Sequence, residues 1–473
     1  MRTRMVLGLG LVWLLASAPQ AGAEPSVESQ LREMQRQLQQ ALKKIDELQK
    51  QVDQQKAIGQ ATQKQAAQAA EDAAATSKTV AAAQPGFQWA DQMKKFTLFG
   101  DLRTRFEGFY HQPHVGPVDG ESKQVVTARN RERIRARIGL KYTYSDELSA
   151  TVRVATGNPD DPISTNDDLG SVFNRKHVNL DWAYLTFTPG KTFGLRPGVV
   201  SIDAGKFPSP LFRPGEMVWD EDLAPEGLSE NFNVLDKPIG DLDQIRLHVI
   251  QWTVNEISNG EDSWIVGGQV NPVGHIGDVQ LEGGAGQYFY VNPDPIAVAA
   301  NSNTKLNVGL SQQTLGNTNV LETATVSGKK TITGFAGAFN LTNVNLAATV
   351  PNVLCGQPLR LFTDYVYNWQ ASTDDAQGVS AGARLGNLKS RGDWAVSGAY
   401  EYLGQEATMA AFSWSDFGFG GTNLQGPILR LDYQLLDPLT VGLGGSITTL
   451  INRPAGVKNQ TMERIQADAM VKF

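Results

Sequence analysis

The sequence predicts an all-β transmembrane barrel of about sixteen antiparallel strands, preceded by an α-helical coiled coil. Three observations lead there. From Phe96 to the terminal Phe473, apolar and polar residues alternate with a period of two, the signature of strands with one apolar and one polar face. Apart from one short run near the start, no stretch approaches the roughly 18 apolar residues a spanning helix needs. The mean hydropathy is an ordinary −0.28, as expected where lipid-facing and lumen-facing residues average out. Only helices and closed barrels satisfy every backbone group in lipid, so a membrane-spanning part of this chain must be a barrel.

Residues 1–23 read as a secretory signal peptide. Arg2 and Arg4 form a positive start, Met5 to Ala16 an apolar run, and Ala21-Gly22-Ala23 a small-residue cleavage site. Cleavage leaves 450 residues beginning at Glu24, and removing the two arginines takes the net charge from −7 to −9. An acidic chain argues against nucleic acid as a partner. The single cysteine, Cys355, excludes an intramolecular disulfide framework and reads as a small buried hydrophobe.

Residues 24–56 carry heptads. Leu31, Leu38, Ile45 and Val52 recur every seven residues, with Val27, Met34, Ala41 and Leu48 at the second core position. Such a helix is marginal alone, so the pattern implies oligomerisation, dimer or trimer, or else an amphipathic helix folded back on the barrel. A 28-residue stretch of it spans about 42 Å. Residues 57–95 are rich in Ala and Gln and lose the heptads; they read as a helical or flexible linker.

Residues 96–473 form the barrel. The first strand, 96–110, places Phe96, Leu98, Leu102 and Phe106 on one face and Asp101, Arg103, Arg105 and Glu107 on the other. The second, 130–144, alternates Ile134, Ala136 and Ile138 with Arg133, Arg135 and Arg137. Strands follow at 147–156, 178–189 and 199–206; residues 291–330 fit no single pattern. Later strands run through Tyr365, Tyr400, Leu429 and Leu443, with a tight turn at Asp437-Pro438. The last alternates Ile465, Ala467, Ala469, Val471 and Phe473 with Arg464, Gln466, Asp468, Met470 and Lys472.

Two charged groups suggest a site. Arg131, Arg133, Arg135 and Arg137 share one face of a strand, joined by Arg103 and Arg105 from its neighbour. Facing lipid, each would cost about 2–4 kcal/mol at the midplane, so they face a lumen or stand above the membrane. They form either a basic pore wall or a wall neutralised by Asp101, Glu107 and Glu132. Residues 207–235 carry Glu216, Asp220, Glu221, Asp222, Glu226 and Glu230 against one Arg213, stiffened by four prolines. They form either a solvated cap or a loop folded into the lumen, where an acidic loop facing a basic wall makes a transverse field.

Other chemistry finds no pattern. The five histidines, His111, His114, His177, His248 and His275, sit in no Gly-x-Ser-x-Gly or His-Glu-x-x-His setting. The Asp160-Asp161 and Asp167-Asp168 pairs lack a Glu at calcium-loop spacing and read as Asx turns; Lys329-Lys330 reads as a turn. An enzyme, a metal site and a cofactor are not expected.

Several stretches in order resemble the putative porin family of proteobacterial outer membranes. They are Gly100-Asp101-Leu102-Arg103-Thr104-Arg105-Phe106-Glu107, Arg131-Glu132-Arg133-Ile134-Arg135-Ala136-Arg137, and Ala155-Thr156-Gly157-Asn158-Pro159-Asp160-Asp161-Pro162 with Ser164-Thr165-Asn166. Asp181-Trp182-Ala183-Tyr184-Leu185, Gly205-Lys206-Phe207-Pro208 and Trp219-Asp220-Glu221-Asp222-Leu223-Ala224-Pro225-Glu226-Gly227 follow. The resemblance covers residues 96–473. It implies a porin for passive diffusion of ions and small hydrophilic solutes, a homotrimer in outer-membrane lipid and lipopolysaccharide, with the coiled coil in the periplasm. The terminal Phe473 resembles the aromatic read by the barrel-assembly machinery. An anion- or phosphate-selective porin and a coiled-coil tether or adhesin are the alternatives. The arginines argue for anion passage; the acidic loop and the net charge argue for cations.

Overall fold

The computed structural model describes scattered positions between 36 and 53, then residues 93–111, 128–301, 319–326, 329–418, 420–453 and 461–473. The chain divides into two compact units, Met1–Trp89 and Ala90–Phe473. In the first, the described positions are helical and exposed, with Lys50 Nζ 2.9 Å from Asp46 one turn away. The signal peptide, the heptad core positions, most of the linker and His114 lie outside the described residues.

The second unit is a ring of strands. In chain order they are β1 (Phe96–Tyr110), β2 (Arg129–Thr143), β3 (Leu148–Thr156), β4 (Val178–Phe187), β5 (Val200–Lys206), β6 (Glu226–Asn233), β7 (Leu242–Asn255) and β8 (Ser263–Ile276). Then follow β9 (Val279–Val291), β10 (Asn340–Leu354), β11 (Gln357–Asn368), β12 (Gln377–Gly386), β13 (Trp394–Leu403), β14 (Leu424–Leu436), β15 (Leu439–Leu450) and β16 (Thr461–Lys472). Each strand pairs antiparallel with the next. β16 returns to β1 in a register that sets Asp101 opposite Lys472, Arg105 opposite Asp468 and Tyr110 opposite Glu463. The sheet is therefore a closed sixteen-stranded antiparallel barrel, without the free edge that invites aggregation. The expected strand bounds hold to within a residue or two through β5.

Residues 144–147, 277–278, 355–356 and 437–438 make tight turns at the end where the barrel begins and finishes, 188–199 and 234–241 at that end are longer, and the longest loops lie at the other end. Four of these loops matter below: L2 (157–177), L3 (207–225), L5 (292–339) and L7 (404–423). Of residues 291–330, ambiguous in sequence, Val291 ends β9 and the rest fall within L5. Its described parts hold a short helix (Asp294–Asn301) and a hairpin of Leu321–Val326 with Lys329–Phe335. Lys329-Lys330 thus opens a strand, a correction to the expected turn. Cys355 is a second correction: it is exposed, in a tight turn with φ 51°.

The two faces of the wall differ as the alternation requires. Leu98, Leu102, Phe106, Ile138, Leu140, Leu429, Leu431, Leu443 and Ile465 point outward and are exposed. A water-soluble protein does not leave so continuous an apolar surface bare; around a barrel it is the lipid-facing belt. Inside, the barrel is divided. Along β7–β13, Ile250, Trp252, Ile265, Tyr288, Tyr290, Leu341, Val366 and Leu403 bury an apolar cluster with L3 and L7. Along β16 and β1–β3 the inner face is charged: Asp101, Arg103, Arg105, Glu107, Arg135, Arg153, Arg464 and Asp468 are all buried.

Candidate functional site

The site is where L3 crosses from the apolar half to the charged half. Its first turn is held on the far wall, where Phe212 N–H donates to Gln269 Oε1 at 2.7 Å and Gln269 Nε2 donates to the Phe212 carbonyl at 2.9 Å. Met217, Val218 and Trp219 are then buried. The Trp219 ring meets Trp252 and Tyr288 edge-on, each with centroids 5.6 Å apart, contacts worth about 0.5–1.5 kcal/mol apiece beyond their buried area. Arg213 Nη1 caps the bend, donating to the Trp219 and Asp220 carbonyls at 3.2 and 2.9 Å.

This anchoring carries the acidic segment to the arginines. Asp222 Oδ1 lies 2.9 Å from Arg137 and 3.8 Å from Arg135, and Glu221 lies 3.5 Å from Arg135. Asp222 Oδ2 accepts from the Thr165 N–H and hydroxyl of L2, both at 3.0 Å. Burial pushes the Asp222 carboxyl up, but Arg135 and Arg137 outweigh it and hold the group below the usual range. Asp220 faces L7 instead: it accepts from Ser415 N–H at 2.7 Å and Asp222 N–H at 2.8 Å, and its own N–H donates to the Phe412 carbonyl at 3.0 Å. Burial and the Asp222 charge raise Asp220 well above the ordinary carboxyl range. Glu216 accepts from the Glu221 N–H at 2.9 Å and is raised by burial and by Glu221.

The ladder is built by the β1–β2 register, which sets Asp101 opposite Arg137, Arg103 opposite Arg135, Arg105 opposite Arg133 and Glu107 opposite Arg131. Two of these rows pair opposite charges and two pair like charges, so the like rows borrow carboxylates from elsewhere. Arg105 takes Asp468 of β16 at 2.6 Å and Asp416 of L7 at 2.8 Å. Arg133 takes Asp168 of L2 at 2.8 Å. Arg135 shares Asp101, at 2.9 Å, with Arg137, at 2.7 Å. Glu107, fully buried, pairs with Arg131 and with Arg464 of β16. Burial raises Asp416, while Arg105 and Arg464 pull it well below the usual range.

Three expectations need correction. The acidic loop ends at residue 225: Glu226 opens β6 and pairs with Lys206 Nζ at 2.8 Å, away from the arginines, and Glu230 lies within the same strand. Glu132 is exposed and does not help neutralise the ladder; its carbonyl accepts from Leu169 N–H. The remaining partners, Asp168, Asp416, Asp468 and Arg464, were missed. Asp468 and Arg464 were visible as the polar face of the last strand, but their pairing depends on a ring closure more than 350 residues long in sequence. Asp416 sits among Ser, Phe and Gly of L7 and carries no local signal. Only the first aspartate pair fits the Asx-turn reading: Ile163 N–H donates to Asp161 Oδ1 at 3.3 Å, and Asp160 N–H to Asn158 Oδ1 at 3.2 Å. Asp167-Asp168 is a further correction to that reading, a two-residue strand within L2 that pairs with Ile134 and Arg133 of β2. His111, exposed, meets Glu463 at 2.8 Å.

A family model described as putative porin matches residues 82–473. The chain belongs to the putative porin family. It is an outer-membrane porin channel. Among solved structures, OprB of Pseudomonas putida is similar at 12% identity, covering 81% of this chain and 96% of that one, with a TM-score of 0.50. Salmonella typhi OmpF in complex with daunomycin aligns at 11% identity over 80% of this chain and 97% of its own, TM-score 0.43. The outer-membrane channel DcaP of Acinetobacter baumannii aligns at 12% identity over 80% and 97%, TM-score 0.40. No curated protein matches the sequence. At such identities the OprB likeness speaks for the barrel fold alone.

Proposed function

We propose that this porin passes ions and small hydrophilic solutes down their gradient, without a catalytic step, through a constriction between L3 and the arginine face of β1–β2. The observation that carries this is the reach of Asp222 and Glu221 to Arg137 and Arg135 inside the barrel. Fixed charges of both signs at a narrow point order water and discriminate solutes by charge. Screening acts over about 8 Å at physiological salt, so these buried charges govern selectivity while the net charge of the chain does not. The homotrimer belongs to the same reading, supported by a heptad segment that needs partners. So do the periplasmic position of that segment, contact with lipid and lipopolysaccharide, and Phe473 as the assembly signal.

Neutralising Arg133, Arg135 and Arg137 together to Gln tests the constriction. The reversal potential under a KCl gradient is expected to move toward cations and the single-channel conductance to change. Unchanged selectivity and conductance in a folded variant would remove the constriction from this wall.

A further inference from the structure

Resting on the porin reading, we infer that Arg103 is a seat for one carboxylate group of a permeating solute, with the chain supplying every part of the site except the counter-ion. The six other arginines around it, Arg105, Arg131, Arg133, Arg135, Arg137 and Arg464, each have a carboxylate within 4.0 Å. Among the described residues Arg103 has none. Its Nη2 donates to the neutral amide oxygen of Asn166 at 2.7 Å, and its Nε has no hydrogen-bond partner. Its row explains the deficit: Met470 stands opposite on β16, and Arg135, a like charge, opposite on β2. Arg135 Nη1, 3.5 Å from Glu221, also makes no hydrogen bond.

A guanidinium that is only 8% exposed and lacks a counter-charge is unfavourable to bury. With every neighbouring arginine paired and this one not, the missing counter-charge points to an anion. The place lies where three loops converge. Asn166 comes from L2, Glu221 and Asp222 of L3 sit on the opposing Arg135, and Asp416 of L7 sits on Arg105 two residues along. The deficit is one charge, which matches a monocarboxylate; a dianion would overshoot it beside Asp222 and Asp416. The planar fork of Arg suits a carboxylate geometrically.

Acetate is the probe. Carbon-13-labelled acetate is titrated against the full-length protein in detergent, and its NMR line broadening is read. The wild type is expected to broaden the line saturably, and Arg103→Gln to weaken binding about tenfold or more, since a charged hydrogen bond is lost. Asn166→Asp keeps Arg103 but places a carboxylate of the chain beside it, and is expected to abolish the broadening in a protein that still shows a heat-modifiable barrel. If Arg103→Gln does not fold, Asn166→Asp decides. No broadening with the wild type, or broadening unchanged in Asn166→Asp, overturns the seat. Planar-bilayer conductance in KCl separates the two readings: a conducting wild type that ignores acetate loses the seat and remains a porin. A non-conducting wild type that binds acetate keeps the seat and loses the pore.

Discussion

At the residue scale, the site is decided by which carboxylates each buried arginine holds. Asp222 joins L3 to β2 through Arg137 and to L2 through Thr165. Asp222→Asn leaves a buried guanidinium short of charge, so L3 docking is expected to weaken by about 3–5 kcal/mol, read as faster proteolysis within 207–225 while the barrel stays heat-modifiable. The same groups set a pH dependence. Asp222 and Asp416 have depressed values in the folded protein, so their contribution is present above the unfolded value, about 4, and is lost only as pH falls through the lower folded one. The part of loop protection that Asp222 and Asp416 contribute is therefore expected to be the same at pH 7 and pH 5 and to be lost in stronger acid. Asp161 runs the other way: burial, against the pull of Arg133, pushes it up to about 6. Its contribution is complete below the unfolded value and fades as pH rises through about 6. Asp161→Asn is expected to flatten that part of the loop-protection curve; a curve unchanged around pH 6 would contradict the assignment.

At the scale of elements, the seam between β1 and β16 closes the barrel. Gly100 N–H donates to the Phe473 carbonyl at 3.0 Å and Phe473 N–H to the Gly100 carbonyl at 3.1 Å. A Cβ at Gly100 would lie 2.3 Å from the Arg137 carbonyl oxygen and 2.8 Å from the Phe473 ring, closer than atoms pack. Gly100→Val is therefore expected to cut the yield of heat-modifiable barrel sharply, measured by gel mobility with and without boiling. The strands here were legible because alternation is local: β1 is found where residues 96–110 predict it, and the arginine row of β2 was readable two residues at a time. The inward fold of L3 was legible only as one of two options. Its choice depends on Trp219 finding Trp252 and Tyr288 on strands far along the chain, and no local pattern encodes such a contact. L7 was not read at all, for its burial comes from the same cluster. Glu226 was misplaced because a charged residue at a loop's end looks the same as one at a strand's start.

At the scale of the whole molecule, the barrel interior is two different solvents side by side. The β7–β13 half holds an apolar cluster with L3 and L7 beside buried polar groups such as Asn345, Asp364 and Glu401, and the half around β16 and β1–β3 is lined with charge that, among the described residues, is paired except at Arg103. On the proposed reading, the passage for water and ions follows the charged half, past Arg103 and between L3 and the ladder. The measurement that tests this most directly is single-channel conductance of the purified, detergent-extracted protein in a planar bilayer under a KCl gradient. Discrete conductance steps are predicted, grouped in threes if the porin is a trimer, with a reversal potential whose sign reports whether the arginines or the L3 carboxylates dominate. Protein shown to be folded and heat-modifiable that yields no steps would contradict the account.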